Sequence, residues 1–120
     1  MSLEVQIHEV DTHLSIKAAG QYSLANMYDL FARAKIESVK HAYRGIILDV
    51  TEVAGPIPIM DMHVLGESCS RIWNLRLRVA IVSAEGGLNK FFENVARNRG
   101  AQIAVVPNQG TAVEWVNCDQ

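Results

Sequence analysis

Cysteine is scarce in this chain, proline nearly so, and long apolar runs are missing altogether. The two cysteines, Cys69 and Cys118, are too few and too far apart for a disulfide framework or a zinc site. No apolar run approaches the ~20 residues needed to cross a bilayer. No low-complexity tract, internal repeat or Pro/Gly/Ser-rich linker divides the 120 residues. Dense Lys/Arg runs are also absent and the net charge is −2, which argues against a dedicated nucleic-acid binder. The opening MSLEVQIHEVDTH is acidic and alternating, the pattern of a strand rather than of a signal peptide. The expectation is one cytoplasmic domain over residues 1–120, long enough to bury roughly two thirds of its unfolded surface.

What is present is ordinary for a globular protein, with 49% hydrophobic and 20% charged residues. Leu3, Val5 and Ile7 alternate with Glu4, Gln6 and His8, the period of a half-buried strand. Leu14, Ile16 and Ala18 repeat that period beyond Asp11, so the two segments are expected to form an antiparallel pair. Ser23 can cap a helix to about His41 with Leu24, Met27, Phe31 and Ala34 on one side. The runs IILDV, LRVAIV and QIAVV read as central strands buried on both faces. Helices are expected from about Pro58 to Trp73, around Leu88 to Ala96, and over GTAVEWV. Strand and helix alternate from Leu14 onward, which predicts an α/β layer fold with a mostly parallel sheet.

The order β-β-α-β-α-β-α-β-α, together with RGIILDVTEV, RVAIVS, ENVARNRGAQIAVVPN and the closing AVEWV, resembles the STAS fold of anti-sigma-factor antagonists. More closely, it resembles the SpoIIAA-like (STAS/SEC14) group, over roughly Leu14 to Val116. The resemblance implies a five-stranded, mostly parallel sheet with an N-terminal antiparallel pair and about four helices. It also implies a segment after the IILDV strand where a partner kinase phosphorylates a hydroxyl. Asp49 matches the aspartate closing that strand, and Thr51 falls where a small polar residue sits. The phosphorylated position itself falls within Ile57 to Met60, which contains no hydroxyl.

In place of the switch stands the turn AGPIPIM, expected at the carboxyl ends of the strands beside SAEGG, where α/β sheets meet their ligands. Pro58 suits a first helical turn, because its missing N–H is not needed there. Met62, Leu65, Cys69, Ile72 and Trp73 form a core stripe on the helix that follows. Ile57, Met60 and Val64, spaced i, i+3, i+7, fall on another side. They either pack on a neighbouring loop or the first helix, or form an exposed apolar patch for a partner, membrane or ligand. The expectation is that the three are not all buried.

Other candidate chemistry is weak. Ser83, Gly86, Gly87 and Lys90 surround a helix start that could take an anion, but match no phosphate-binding motif, so a structural turn is the simpler reading. His63 and Glu67 meet at i, i+4 without enough further ligands for a metal, and no cofactor is implied. His8, His13 and His41 read as scattered surface residues. Ser68, Cys69 and Ser70 lack an activating base, and Cys69 lies on the core stripe. Asp49 at a strand end reads as an acid, a base or a cap. Trp73 and Trp115 read as core or core-edge fillers. Six basic residues (Arg71, Arg76, Arg78, Lys90, Arg97 and Arg99) read as solvated faces or as a weak preference for anions or a membrane surface.

Three functions remain. The first is a non-enzymatic module docking a protein partner through Ile57, Pro58, Met60 and Val64. The second, from the SEC14 side of the resemblance, is a binder of a lipid or other apolar small molecule, with peripheral membrane contact and the 58–73 helix as a lid. The third is a small enzyme using Asp49, Thr51, Ser83 and Lys90. A homodimer is compatible with either of the first two.

Overall fold

The computed structural model describes residues 3–73 and 77–117. Its elements are β1 (Glu4–Glu9), β2 (Leu14–Gln21), α1 (Leu24–His41), β3 (Gly45–Ala54), α2 (Ile59–Trp73), β4 (Arg78–Val82), α3 (Lys90–Asn98), β5 (Gln102–Val106) and α4 (Gln109–Val116). The sheet order is β1-β2-β3-β4-β5, antiparallel between β1 and β2 and parallel elsewhere. This is the expected strand and helix order. Among the described residues no helix is long and apolar enough to cross a membrane.

Local chemistry starts each helix. The Ser23 side chain accepts the Asn26 N–H, Asn89 accepts those of Phe91 and Phe92, and Asn108 accepts that of Thr111. α2 is entered through Pro58 instead. The Pro58 carbonyl accepts the Met62 N–H at 3.1 Å, so Pro58 immediately precedes the helix and loses nothing by lacking a donor.

Each new strand is added on the same side of the last, so α1, α2 and α3 all cover one face of the sheet. Ile46, Leu48, Val79, Ile81 and Ile103 meet Phe31, Leu65, Trp73 and Phe92 there. The alternate residues Ile47, Ala80, Val82, Ala104 and Val106 meet Ala112 and Val116 of α4 on the other face. Three rings tie the helices together. Phe31 lies 4.6 Å from Trp73 and 6.0 Å from Phe92, centroid to centroid, and Trp73 Nε1 donates to the Phe31 carbonyl at 2.9 Å.

Two expectations are corrected. The QIAVV segment is not a central strand but the sheet edge, because one-directional addition leaves the last strand outermost. Its apolar character comes from cover on both faces, and α3 covers the edge itself. The buried Glu93 carboxylate accepts the Val105 N–H at 2.7 Å, Lys90 donates to the Val105 carbonyl, and Arg97 donates to the Ile103 carbonyl at 2.8 Å. The second correction concerns His13, which is buried rather than exposed, and burial lowers its pKa. Its Nδ1 lies 3.1 Å from the Thr12 hydroxyl. The alternating pattern could not reveal this, since His13 precedes the strand and tucks in beside Gly45.

Two backbone positions test the packing. A Cβ added at Gly66 would lie 2.8 Å from Val95 and 3.1 Å from the Phe92 carbonyl, so α2 and α3 touch there. Gly66→Ala is expected to destabilise the protein by about 1–3 kcal/mol through overpacking. Ala42 ends α1 in the left-handed region at φ 61°, with its N–H and that of Tyr43 turned back to the Ser38 carbonyl. Ala42→Gly relieves that conformation at some entropic cost, for a net gain of about 0.5–1 kcal/mol. Urea unfolding of both variants measures the two opposite signs.

Candidate functional site

The carboxyl ends of β3 and β4 do not end level. Their pairing stops where Asp49 faces Val82, but β3 runs on to Ala54, paired with β2 as far as Gln21. The chain leaving β4 turns toward β5 instead, with the Ser83 N–H donating to the Val106 carbonyl at 3.1 Å. The divergence opens a cleft of about 520 Å³, lined on one side by Val50, Val53 and Gly55 and on the other by Ala84, Glu85 and Gly86. The Gly55 turn and the SAEGG turn are therefore neighbours, as expected of two loops at the carboxyl ends of adjacent strands. The sequence had suggested a strand ending near Asp49. The polar Thr51 and Glu52 concealed the extra length, which β2 supports through a register shift between Lys17 and Ala19.

Asp49 acts as a cap. Its Oδ1 accepts both the N–H and the hydroxyl of Thr51, at 2.9 and 2.7 Å, and its Oδ2 accepts the Gln109 amide at 3.0 Å. The carboxylate thus satisfies the overshooting strand and fastens α4 to it.

Across the cleft, Ser83, Gly86 and Gly87 form one tight turn. The Gly87 N–H donates to the Ala84 carbonyl at 3.0 Å, and a Cβ on Gly87 would come within 2.6 Å of the Ser83 hydroxyl. Lys90 does not join them. Its ammonium lies on Glu93 at 3.1 Å and on the Val105 carbonyl at 3.3 Å, while the first N–H groups of α3 are taken by Asn89.

The beginning of α2 carries apolar side chains into water. Met60 is 74% exposed and Val64 42%, whereas Ile57 is half-buried and packs on the margin of the core. The three are not all buried, as expected. Ile59, which the spacing argument passed over, is 63% exposed. It heads α2 one residue before Met60, and the adjacent pair Ile59/Met60 was the signal that a strict i, i+3, i+7 reading discards. Met62, Leu65, Cys69 and Trp73 are buried on the opposite side.

This corner is held in place. The Tyr22 hydroxyl donates to the Asp61 carboxylate at 2.8 Å, and the Tyr22 N–H donates to the Ala54 carbonyl at 2.7 Å. One residue thereby links the end of β3 to the first turn of α2. Farther along α2, Glu67 meets His63 at 3.3 Å and Arg99 at 2.6 Å.

The remaining candidates take structural places. Burial pushes the Cys69 thiol well up, and the hydroxyls of Ser68 and Ser70 donate to the carbonyls of Val64 and Glu67. Arg78 lies 4.0 Å over the Trp115 ring and donates to the Trp115 carbonyl at 2.7 Å. Lys90, Arg97 and Arg99 are engaged as well, though all three remain at the surface. Arg76 lies outside the described residues. No group of three or more His, Cys, Asp or Glu residues gathers as a metal site among the described residues.

With this geometry in hand, comparison with solved structures gives the fold its name. An anti-sigma factor antagonist from Mycobacterium paratuberculosis matches with a TM-score of 0.65 at 11% identity, over 98% of this chain and 96% of that one. An uncharacterised protein with a SpoIIAA-like fold from Shewanella loihica matches at 0.55 and 21%, over 96% and 93%. RsbS from Moorella thermoacetica matches at 0.54 and 16%, over 93% of each chain. No family model and no curated protein matches this sequence. The chain has the SpoIIAA-like STAS fold.

The Tyr22–Asp61 link carries a pH signature. Burial, then the hydrogen bond to Asp61 and its charge, raise the Tyr22 pKa above the ordinary 10.0. An unfolded tyrosine ionises near pH 10 while the folded one keeps its proton, so stability falls as pH rises above about 10. Tyr22→Phe is expected to make that fall shallower in urea midpoints measured from pH 8 to 11. The slope that remains belongs in part to Tyr43, which burial, Glu9 and Asp11 also raise.

Proposed function

We propose that this protein is a non-enzymatic STAS-type interaction module that docks a protein partner through the turn and helix start of residues 55–64. The observation that carries the reading is the exposed pair Ile59 and Met60, with Val64 one turn farther along, on a helix whose opposite side is fully committed to the core. Such a ridge costs free energy in water unless it is covered by something. Met60 supplies a flexible, polarizable contact, and the Tyr22–Asp61 hydrogen bond fixes the helix start beforehand, which lowers the ordering cost of binding.

The fold supports the same reading, since one solved protein that shares it is an anti-sigma factor antagonist. The chain departs from a phosphorylation-controlled module in one respect. Residues 55–64, GPIPIMDMHV, carry no hydroxyl, and the Thr51 hydroxyl is turned onto Asp49. Docking here is apolar and is not switched by phosphate at the contact.

A photo-crosslinking side chain at position 60, used in cells that express the full chain, is expected to trap a defined protein. Met60→Glu or Ile59→Glu is then expected to weaken its binding at least about 30-fold, the loss of a hot spot of about 2 kcal/mol, with circular dichroism unchanged. Equal binding by either variant overturns the reading. Native mass spectrometry of freshly purified protein tests the apolar-ligand alternative, because a mass released only on denaturation assigns the ridge to that ligand instead.

A further inference from the structure

The opposite end of the molecule carries a second concavity. A pocket of about 260 Å³ lies where α1 ends and the chain turns into β3. Its apolar lining is Val39, Ala42, Tyr43 and Leu77, and its charged lining residues are Lys35 and Arg44. Ile36 and Val39, one turn apart on α1, are 63% and 68% exposed beside it. This end is locally basic in a chain of net charge −2: residues 33–44 hold Arg33, Lys35, Lys40 and Arg44 against Glu37 alone.

Two of the nearby acids, Glu37 and Glu9, have side-chain partners. Glu37 is met by Arg33 at 3.7 Å and by His41 at 3.4 Å, and Glu9 by His41 at 3.5 Å. Glu9 and Asp11 lie near enough to the Tyr43 hydroxyl that, after burial, their charges help keep it protonated. Among the described residues, Lys35, Lys40 and Arg44 form no ion pair. The last turn of a helix is itself partly negative, and here the N–H groups of Ala42 and Tyr43 are donated to two of its carbonyls, those of Ser38 and Val39.

We propose that this pocket receives one bulky apolar side chain from an acidic segment of a protein partner, with Lys35, Lys40 and Arg44 pairing the acids around that anchor. The volume falls below the roughly 300–1,000 Å³ of small-molecule pockets and suits a single anchor residue. A bilayer surface offers no projecting group to fill a concavity. Apolar anchor and charge requirement together define the partner chemistry: Asp or Glu flanking Phe, Leu or Trp. The surface is independent of the α2 ridge, which lies at the other ends of the strands.

The test is selection of a random twelve-residue peptide library on the immobilised full chain, followed by fluorescence anisotropy with the selected peptides. The expected result is enrichment of acidic peptides with a central aromatic or leucine. Their affinity should fall at least about tenfold with Arg44→Glu or Lys35→Glu, fall with rising salt, and be unchanged in Met60→Glu. Both charge-reversed positions are at the surface, and Arg44→Ala and Lys35→Ala provide milder variants that should bind more weakly in proportion. The proposal is overturned if nothing is enriched, if the peptides lack acids, or if the substitutions leave binding unchanged. It is equally overturned if Arg44→Glu abolishes only co-sedimentation with phosphatidylserine vesicles, which assigns the patch to a membrane. Loss of only self-association in sedimentation velocity assigns it to a second copy and overturns it as well.

Discussion

The structure depends on how tightly α2 is wedged between α1 and α3. On one flank Trp73 packs against Phe31 at a tilt of 50° and donates its indole N–H to the Phe31 carbonyl. On the other, Gly66 lets the helix approach so closely that not even a methyl group would fit against Val95. Beneath, Met62, Leu65 and Cys69 are sealed against the sheet. Three sides of the helix are thereby fixed, and its rotation about its own axis with them. What lies on the fourth side cannot turn inward, so Met60 and Val64 stay in water.

The same economy of exposed groups governs the sheet. Parallel strands added in one direction leave two open edges and a ragged carboxyl end, each with backbone groups that need partners. At the β5 edge, Glu93, Lys90 and Arg97 of α3 supply them, which explains a buried carboxylate far from the cleft. At the ragged end, Asp49 satisfies Thr51. Residues that invite a catalytic or anion-binding reading are in both places completing the backbone. Among the described residues the most exposed large apolar side chains are then Ile59 and Met60, on α2 at one end of the strands, and Ile36 and Val39, toward the close of α1 at the other.

Much of this was legible beforehand. The two-residue alternation in β2, the apolar runs of β3, β4 and β5, and Ser23 before α1 are local signals, and each element formed where they stand. The exposure of Met60 and Val64 was also readable, because helical spacing assigns faces without knowing the neighbours. Ile59 was missed because a face assignment says little about the first residue of a helix. The edge position of β5 and the burial of His13 were not readable, since neither follows from periodicity.

The sequence by itself determined the identity and order of the elements and the face each presents to the core, because these follow from hydrogen bonding and side-chain spacing within a few residues. Only the tertiary structure decided which charged groups are free. Lys90 and Lys35 are both lysines on helix surfaces, yet one closes a sheet edge and the other lines an unfilled pocket. That difference depends on what the chain brings alongside from far away, and electrostatic pairing across such distances leaves no period in the sequence.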